Sequence, residues 1–304
     1  MKVVMNTGLK ITAFAAALAA TFGTAYGVGK GVDPVVARQA PHAGHGEASG
    51  GSAGPEHAGH GEASSTPGGL QVADGGYRLD LKTPRVAAGG AAELRFAVTG
   101  HDGRPVTAFR SEHGKELHLI VASTDLGVYR HLHPVRAADG TWSVAAQLPE
   151  AGGYRVLADF TPADVKDAKG LVLGADLAVS GAYAPKELPA PAATAQAGDG
   201  YEVALEGSLL PGRTTELKLS VSKDGKPVTD LEPYLGAYGH LVALRSGDLA
   251  YLHVHPNEGG PGPVVSFSAT PPSAGAYRLF LDFQHGGKVR TAAFTVHVGG
   301  HFAA

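Results

Sequence analysis

The chain contains no cysteine and only two methionines, Met1 and Met5. The first absence removes disulfides, thiolate metal sites and cysteine nucleophiles together. Both methionines fall in the N-terminal segment, so the rest of the chain offers no soft sulfur ligand. Any metal it holds must sit on imidazole, carboxylate or backbone oxygen, which favours copper(II), zinc(II) or nickel(II) over copper(I). Charge is scarce as well: charged residues make up 17% of the chain and the formal net charge is −3. No basic field is available to hold a nucleic-acid backbone, which excludes that class of partner. What the chain has instead is 15 histidines, 44 glycines and 20 prolines. The glycine and proline content points to many turns and short strands. With 304 residues and 43% hydrophobic content, two domains can each bury a core.

Residues 1–28 have the form of a signal peptide or membrane anchor. Lys2 and Lys10 make a basic start, Ile11 to Phe22 is an apolar run, and Ala25-Tyr26-Gly27 supplies small residues where a signal peptidase would cut. The apolar stretch continues weakly to Val28 and borders on the length of a membrane span, so both forms stay open. Either places the remainder outside the cytoplasm, secreted or anchored on the outer face of the membrane. Residues 29–69 hold few large apolar side chains and are expected to form a disordered tether. That tether repeats a unit: His42-Ala43-Gly44-His45-Gly46-Glu47 returns as His57-Ala58-Gly59-His60-Gly61-Glu62. Short histidine tracts of this kind are compositional metal-binding signals, and a loose tail that gathers metal for a fixed site is a sensible arrangement.

The remainder is a repeat of itself. Asp102-Gly103-Arg104-Pro105-Val106-Thr107 matches Asp224-Gly225-Lys226-Pro227-Val228-Thr229, and Asp159-Phe160 matches Asp282-Phe283. The offset stays between 122 and 124 residues throughout, which chance does not maintain. Short runs alternate between apolar and polar residues and end in turn signals, and no stretch after the leader carries a helical period. The expected fold is all-β: two tandem immunoglobulin-like β-sandwich domains, spanning 70–183 and 201–304, joined by a Pro/Ala linker at 184–200.

Each half carries the pattern H-x₁₂-H-x-H-P, as His118, His131, His133 and Pro134, then as His240, His253, His255 and Pro256. A hairpin centred on Thr124-Asp125 places His118 directly opposite His131, and a centre at Ser246-Gly247 places His240 opposite His253. Opposed residues share a sheet face with Cβ atoms about 5 Å apart. Residues two apart on a strand share a face too, which adds His133 and His255. Pro134 and Pro256 are expected to end the strand. Three imidazoles per domain then converge, as zinc(II) or copper(II) requires. The alternative is structural: the same trios would brace their hairpins in a non-metal scaffold or adhesion module. Asp159, Asp282 and His285 are further candidate ligands, although such carboxylates more often pair with neighbours like Arg155 and Arg278. His101, His113, His297 and His301 have no repeat partner and read as surface residues.

The stretch His118-Leu119-Ile120-Val121, with Asp125-Leu126 and His131-Leu132-His133-Pro134, resembles secreted proteins of bacterial copper-resistance neighbourhoods. It is also similar to the YtkA-like and CopC-like periplasmic β-sandwich groups, over roughly 70–300 in architecture. The resemblance implies copper or heavy-metal handling, with a metal-transport protein as a possible partner. The chain departs from the CopC-like pattern in lacking Met-rich sites and a free N-terminal histidine. No G-x-S-x-G, H-E-x-x-H or phosphate loop is present, and the chain reads as a binder and not an enzyme. A copper-dependent oxidase is the enzymatic alternative.

Overall fold

The computed structural model describes residues 66–166, 168–252 and 254–299, with the backbone alone described at His255. The expected leader, the tether histidines His42, His45, His57 and His60, and also His253 and His301, lie outside the described residues. Every regular element described is a strand. The first domain holds β1 (Ala73–Asp74), β2 (Tyr77–Leu81), β3 (Arg85–Ala87), β4 (Ala91–Thr99) and β5 (His118–Ser123). It continues with β6 (Tyr129–Leu132), β7 (Val135–Arg136), β8 (Thr141–Gln147), β9 (Gly152–Phe160) and β10 (Leu171–Ser180). One sheet runs β1-β2-β4-β8-β7 and the other β3-β10-β9-β5-β6.

The second domain repeats the plan with β11 (Thr194–Gln196), β12 (Tyr201–Glu206), β13 (Thr215–Lys223), β14 (Lys226–Pro227) and β15 (His240–Arg245). Then come β16 (Tyr251–Leu252), β17 (Val254–Pro256), β18 (Val264–Ala269), β19 (Gly275–His285) and β20 (Lys288–Val298). Its sheets run β11-β12-β13-β18-β17, with β14 beside β13, and β16-β15-β19-β20. Two immunoglobulin-like sandwiches result. Phe96, Trp142 and Val156 fill the first core, and Leu219, Phe267 and Phe294 the second.

Both domains belong to one compact unit, and a third apolar cluster joins them. Ile120, Ala122, Tyr129 and Leu157 of the first domain pack with Val242, Leu244, Leu249 and Phe280 of the second. The Tyr129 and Phe280 rings stack with centres 4.1 Å apart and planes 4° from parallel. The cause lies in β5 and β15, whose Leu119-Ile120-Val121-Ala122 and Leu241-Val242-Ala243-Leu244 are apolar at every position. Odd-numbered residues of each run enter their own sandwich and even-numbered ones enter the seam.

Some described residues of the segments expected to be free are drawn into this body. Gly68 of the expected tether bridges to Tyr251, and the Gly69 amide donates to the Val172 carbonyl at 2.7 Å. Within the expected linker, Thr194–Gln196 forms β11 against β12, and Leu188 packs on the seam.

Candidate metal centre between the domains

The two histidine hairpins do not turn where the spacing places them. The pairs Ile120↔His131 and Ala122↔Tyr129 sum to 251, and Ala243↔Leu252 and Leu244↔Tyr251 sum to 495. His131 therefore faces Ile120 instead of His118, and in the second domain Ala243 faces Leu252. The reason is the repeated Asp-Leu at each reversal. Leu126 and Leu249 adopt φ of 58° and 59°, a left-handed conformation that moves each turn one residue along. Asp125 accepts from the Ser123 hydroxyl and the Gly127 amide, and Asp248 accepts from the Arg245 side chain and the Ala250 amide. Because the shift in pairing is two residues, the expectation of a shared face in the first hairpin survives.

In the first domain β6 stops at Leu132, ahead of His133 and Pro134, as expected. In the second, Pro256 is the last residue of β17, also as expected, but the chain has crossed to the other sheet and His255 pairs with Ser268. His255 thereby leaves the sheet that carries His240.

The first trio forms. One ring nitrogen each from His118, His131 and His133 lies within 4.8 Å of the others. Their ring centres are 5.3, 5.2 and 4.8 Å apart. Hydrogen-bond partners fix which nitrogen carries the proton. His118 Nε2 donates to the Glu112 carbonyl at 3.2 Å, leaving a lone pair on Nδ1. His131 Nδ1 donates to Asp282 Oδ2 at 3.0 Å, which in the neutral ring leaves a lone pair on Nε2. Those two bare nitrogens face each other at 3.1 Å. His133 Nε2 is buried and has no hydrogen-bond partner among the described residues.

Asp282, the residue that orients His131, comes from the other domain and is only 3% exposed. It also accepts from the Tyr129 hydroxyl at 3.2 Å and from Thr291 at 2.5 Å. Its counterpart Asp159 accepts from Tyr251 at 3.2 Å, so a Tyr–Asp bond crosses the seam in each direction. The carboxylates thus do not pair with Arg155 and Arg278. Arg155 instead holds Asp176 and the Gly69 and Leu70 carbonyls, while Arg278 donates to Thr295. His285 stands elsewhere, its nitrogens taken by the Tyr201 hydroxyl at 2.6 Å and Asp230 at 3.1 Å.

His240 repeats the His118 arrangement, donating from Nε2 to the Tyr234 carbonyl at 2.7 Å. Its ring lies 6.4 Å from that of His118 and 6.1 Å from that of His131. The exposed His113 ring sits 5.2 Å from His240. A cavity of about 170 Å³ opens between the domains here, walled in part by His118, His131, His240 and Asp159.

Burial favours the neutral form of His118, His133 and His240. Burial, then the neighbouring His131 ring, pushes His118 down to about 4. Burial and both other trio rings push His133 down to about 3. Burial likewise lowers His240 to about 4. The same burial raises the Asp159 carboxyl to about 6. Neutral imidazole is the form that ligates a metal.

A family model for a domain of unknown function, DUF8832, matches residues 71–175 and again 194–300. The chain belongs to the DUF8832 family. That match covers more than half of the chain and coincides with the two sandwiches. The family description names no metal, so copper handling rests on the resemblance to the YtkA-like and CopC-like groups alone. No curated protein matches the chain. Among solved structures, the tandem DUF8832 pair is similar to the Escherichia coli adhesin FdeC at 15% identity and a TM-score of 0.24. That match covers 74% of this chain but only 64% of the FdeC chain. It is also similar to the D0-D1 domain of intimin at 11% identity and a TM-score of 0.22, covering 72% of this chain and 96% of that one. Likeness at this level carries no ligand or partner across.

Tyr129, Tyr234, Glu112 and Thr291 were not indicated by ligand spacing. Tyr129 and Tyr251 each stand two residues before the second histidine of their copy, which was a visible sign. The uninterrupted apolar runs of β5 and β15 were the sign of the seam.

Proposed function

We propose that this protein binds a divalent transition metal outside the cytoplasm through His118, His131 and His133, for sequestration, resistance or delivery. The observation that carries this reading is the 3.1 Å approach of His118 Nδ1 to His131 Nε2, each bearing a lone pair. Two lone pairs at that distance repel unless a cation lies between them. At metal–nitrogen distances of about 2.0–2.1 Å, such a separation subtends roughly 100° at the ion. That angle lies between the square-planar preference of copper(II) and the tetrahedral one of zinc(II). The partnerless His133 Nε2 supplies a third donor, and Asp282 gives His131 the carboxylate support typical of metal-bound histidine. Copper(II) is the leading candidate, with zinc(II) and nickel(II) as alternatives. Export rests on the leader, and delivery implies a metal-transport partner.

The second reading is a non-metal scaffold or adhesion module. The apolar seam favours it, because it makes the domain pair a rigid unit. A proton on His131 would then bridge to His118 and the trio would brace the hairpin. Elemental analysis of the exported protein separates the two, beside a variant with His118, His131 and His133 all changed to Ala. The metal reading expects bound copper or zinc in the parent and its loss from that fixed site in the variant. Equal metal content, with only stability changed, supports the brace.

A further inference from the structure

Resting on the metal reading, we propose that His240 is a fourth ligand, so that one ion ties the two domains together. All three donors named so far belong to the first domain, and His240 is the first residue of β15 in the second. It lies on the seam-facing side of that strand with Val242 and Leu244, and it is 9% exposed. The Tyr234 carbonyl fixes the Nε2 proton at 2.7 Å and leaves Nδ1 as a bare donor, the same lock that Glu112 applies to His118. His240 also walls the cavity that His118 and His131 line.

The spacing is that of a clamp slightly open. The trio's ring centres stand 4.8 to 5.3 Å apart, while His240 stands 6.1 and 6.4 Å from two of them. Closure by about 1 Å brings His240 to the trio's own spacing, within the usual movement of an interface on binding. Asp282 pairs in register with His240 and bonds to His131, so one carboxylate braces the gap the ion would close. His240 and Asp282 make the second domain part of the site. Metal occupancy would then stiffen the link between the domains.

The test uses the full chain with His42, His45, His57 and His60 changed to Ser, loaded with one equivalent of copper(II). Pulsed electron paramagnetic resonance counts the coordinated imidazoles. Four are expected in this parent, three after His240→Gln, and four after His113→Ala. The His240→Gln change is expected to weaken copper(II) about 10-fold to 100-fold. A count of three in the parent overturns the proposal, whether or not the His240→Gln chain folds. So does a loss on His113→Ala with none on His240→Gln, and in both cases the metal reading stands. If the parent takes up no copper(II) or zinc(II), both readings fall together.

Discussion

The two domains carry the same histidine motif and use it differently. In the first, His118, His131 and His133 converge at one end of the seam. In the second, the chain after Leu252 reappears in the opposite sheet as β17, and His240 is the described histidine that faces the seam. Yet the local chemistry is duplicated: each first histidine donates to a carbonyl six residues before it, and each domain sends an aspartate to a tyrosine of the other. Duplication preserved the parts, and docking face to face pooled them. On the proposed reading, the two equal motifs contribute to one shared centre.

The largest expected effect breaks the comparison by parting the domains. Phe280→Ala removes the ring stacked on Tyr129 at the seam. It should cost about 3–5 kcal/mol, as deletion of a buried aromatic does. Denaturant unfolding measures this, and a cost under about 1 kcal/mol would mean the domains are independent. Next comes Asp282→Asn, which takes the anionic acceptor from His131. Metal affinity should fall about 10-fold to 100-fold by isothermal titration. The matched Asp159→Asn should change it far less, because Asp159 bonds to Tyr251 and to no trio ring. Equal losses from the two changes would restore the symmetry denied above.

A further effect is in acid. His118, His133 and His240 have lowered folded values of about 4, 3 and 4 against 6.5 unfolded. Their contribution is present above pH 6.5 and is lost as the pH falls through those values. Asp159 acts oppositely: raised to about 6 from 3.8, it favours folding at low pH and loses that contribution as pH rises through about 6. Metal-free protein should therefore melt at lower temperature at pH 4.5 than at pH 7. Asp159→Asn should steepen the decline, and a flatter one would refute the assignment.

The duplication, the all-β class and the trio's common face were legible in the sequence, because repeats and two-residue periodicity survive without tertiary knowledge. The register was not. It depends on Leu126 and Leu249 accepting a positive φ, which propensity argues against for leucine. The neighbours of Asp159 and Asp282 were misjudged for a different reason. Arg155 and Arg278 are near in sequence, whereas Tyr129 stands 153 residues from Asp282 and meets it only across the seam. The seam itself was written in Leu119 to Ala122 and Leu241 to Leu244, whose unbroken apolar runs need two buried faces.

Stoichiometry tests the central claim most directly. The chain with its four tether histidines changed to Ser should be titrated with zinc(II) against a competing chelator, and the tight sites per chain counted. One shared centre predicts a single tight equivalent, abolished by His131→Ala alone. Two tight equivalents, one of them surviving His131→Ala, would contradict it.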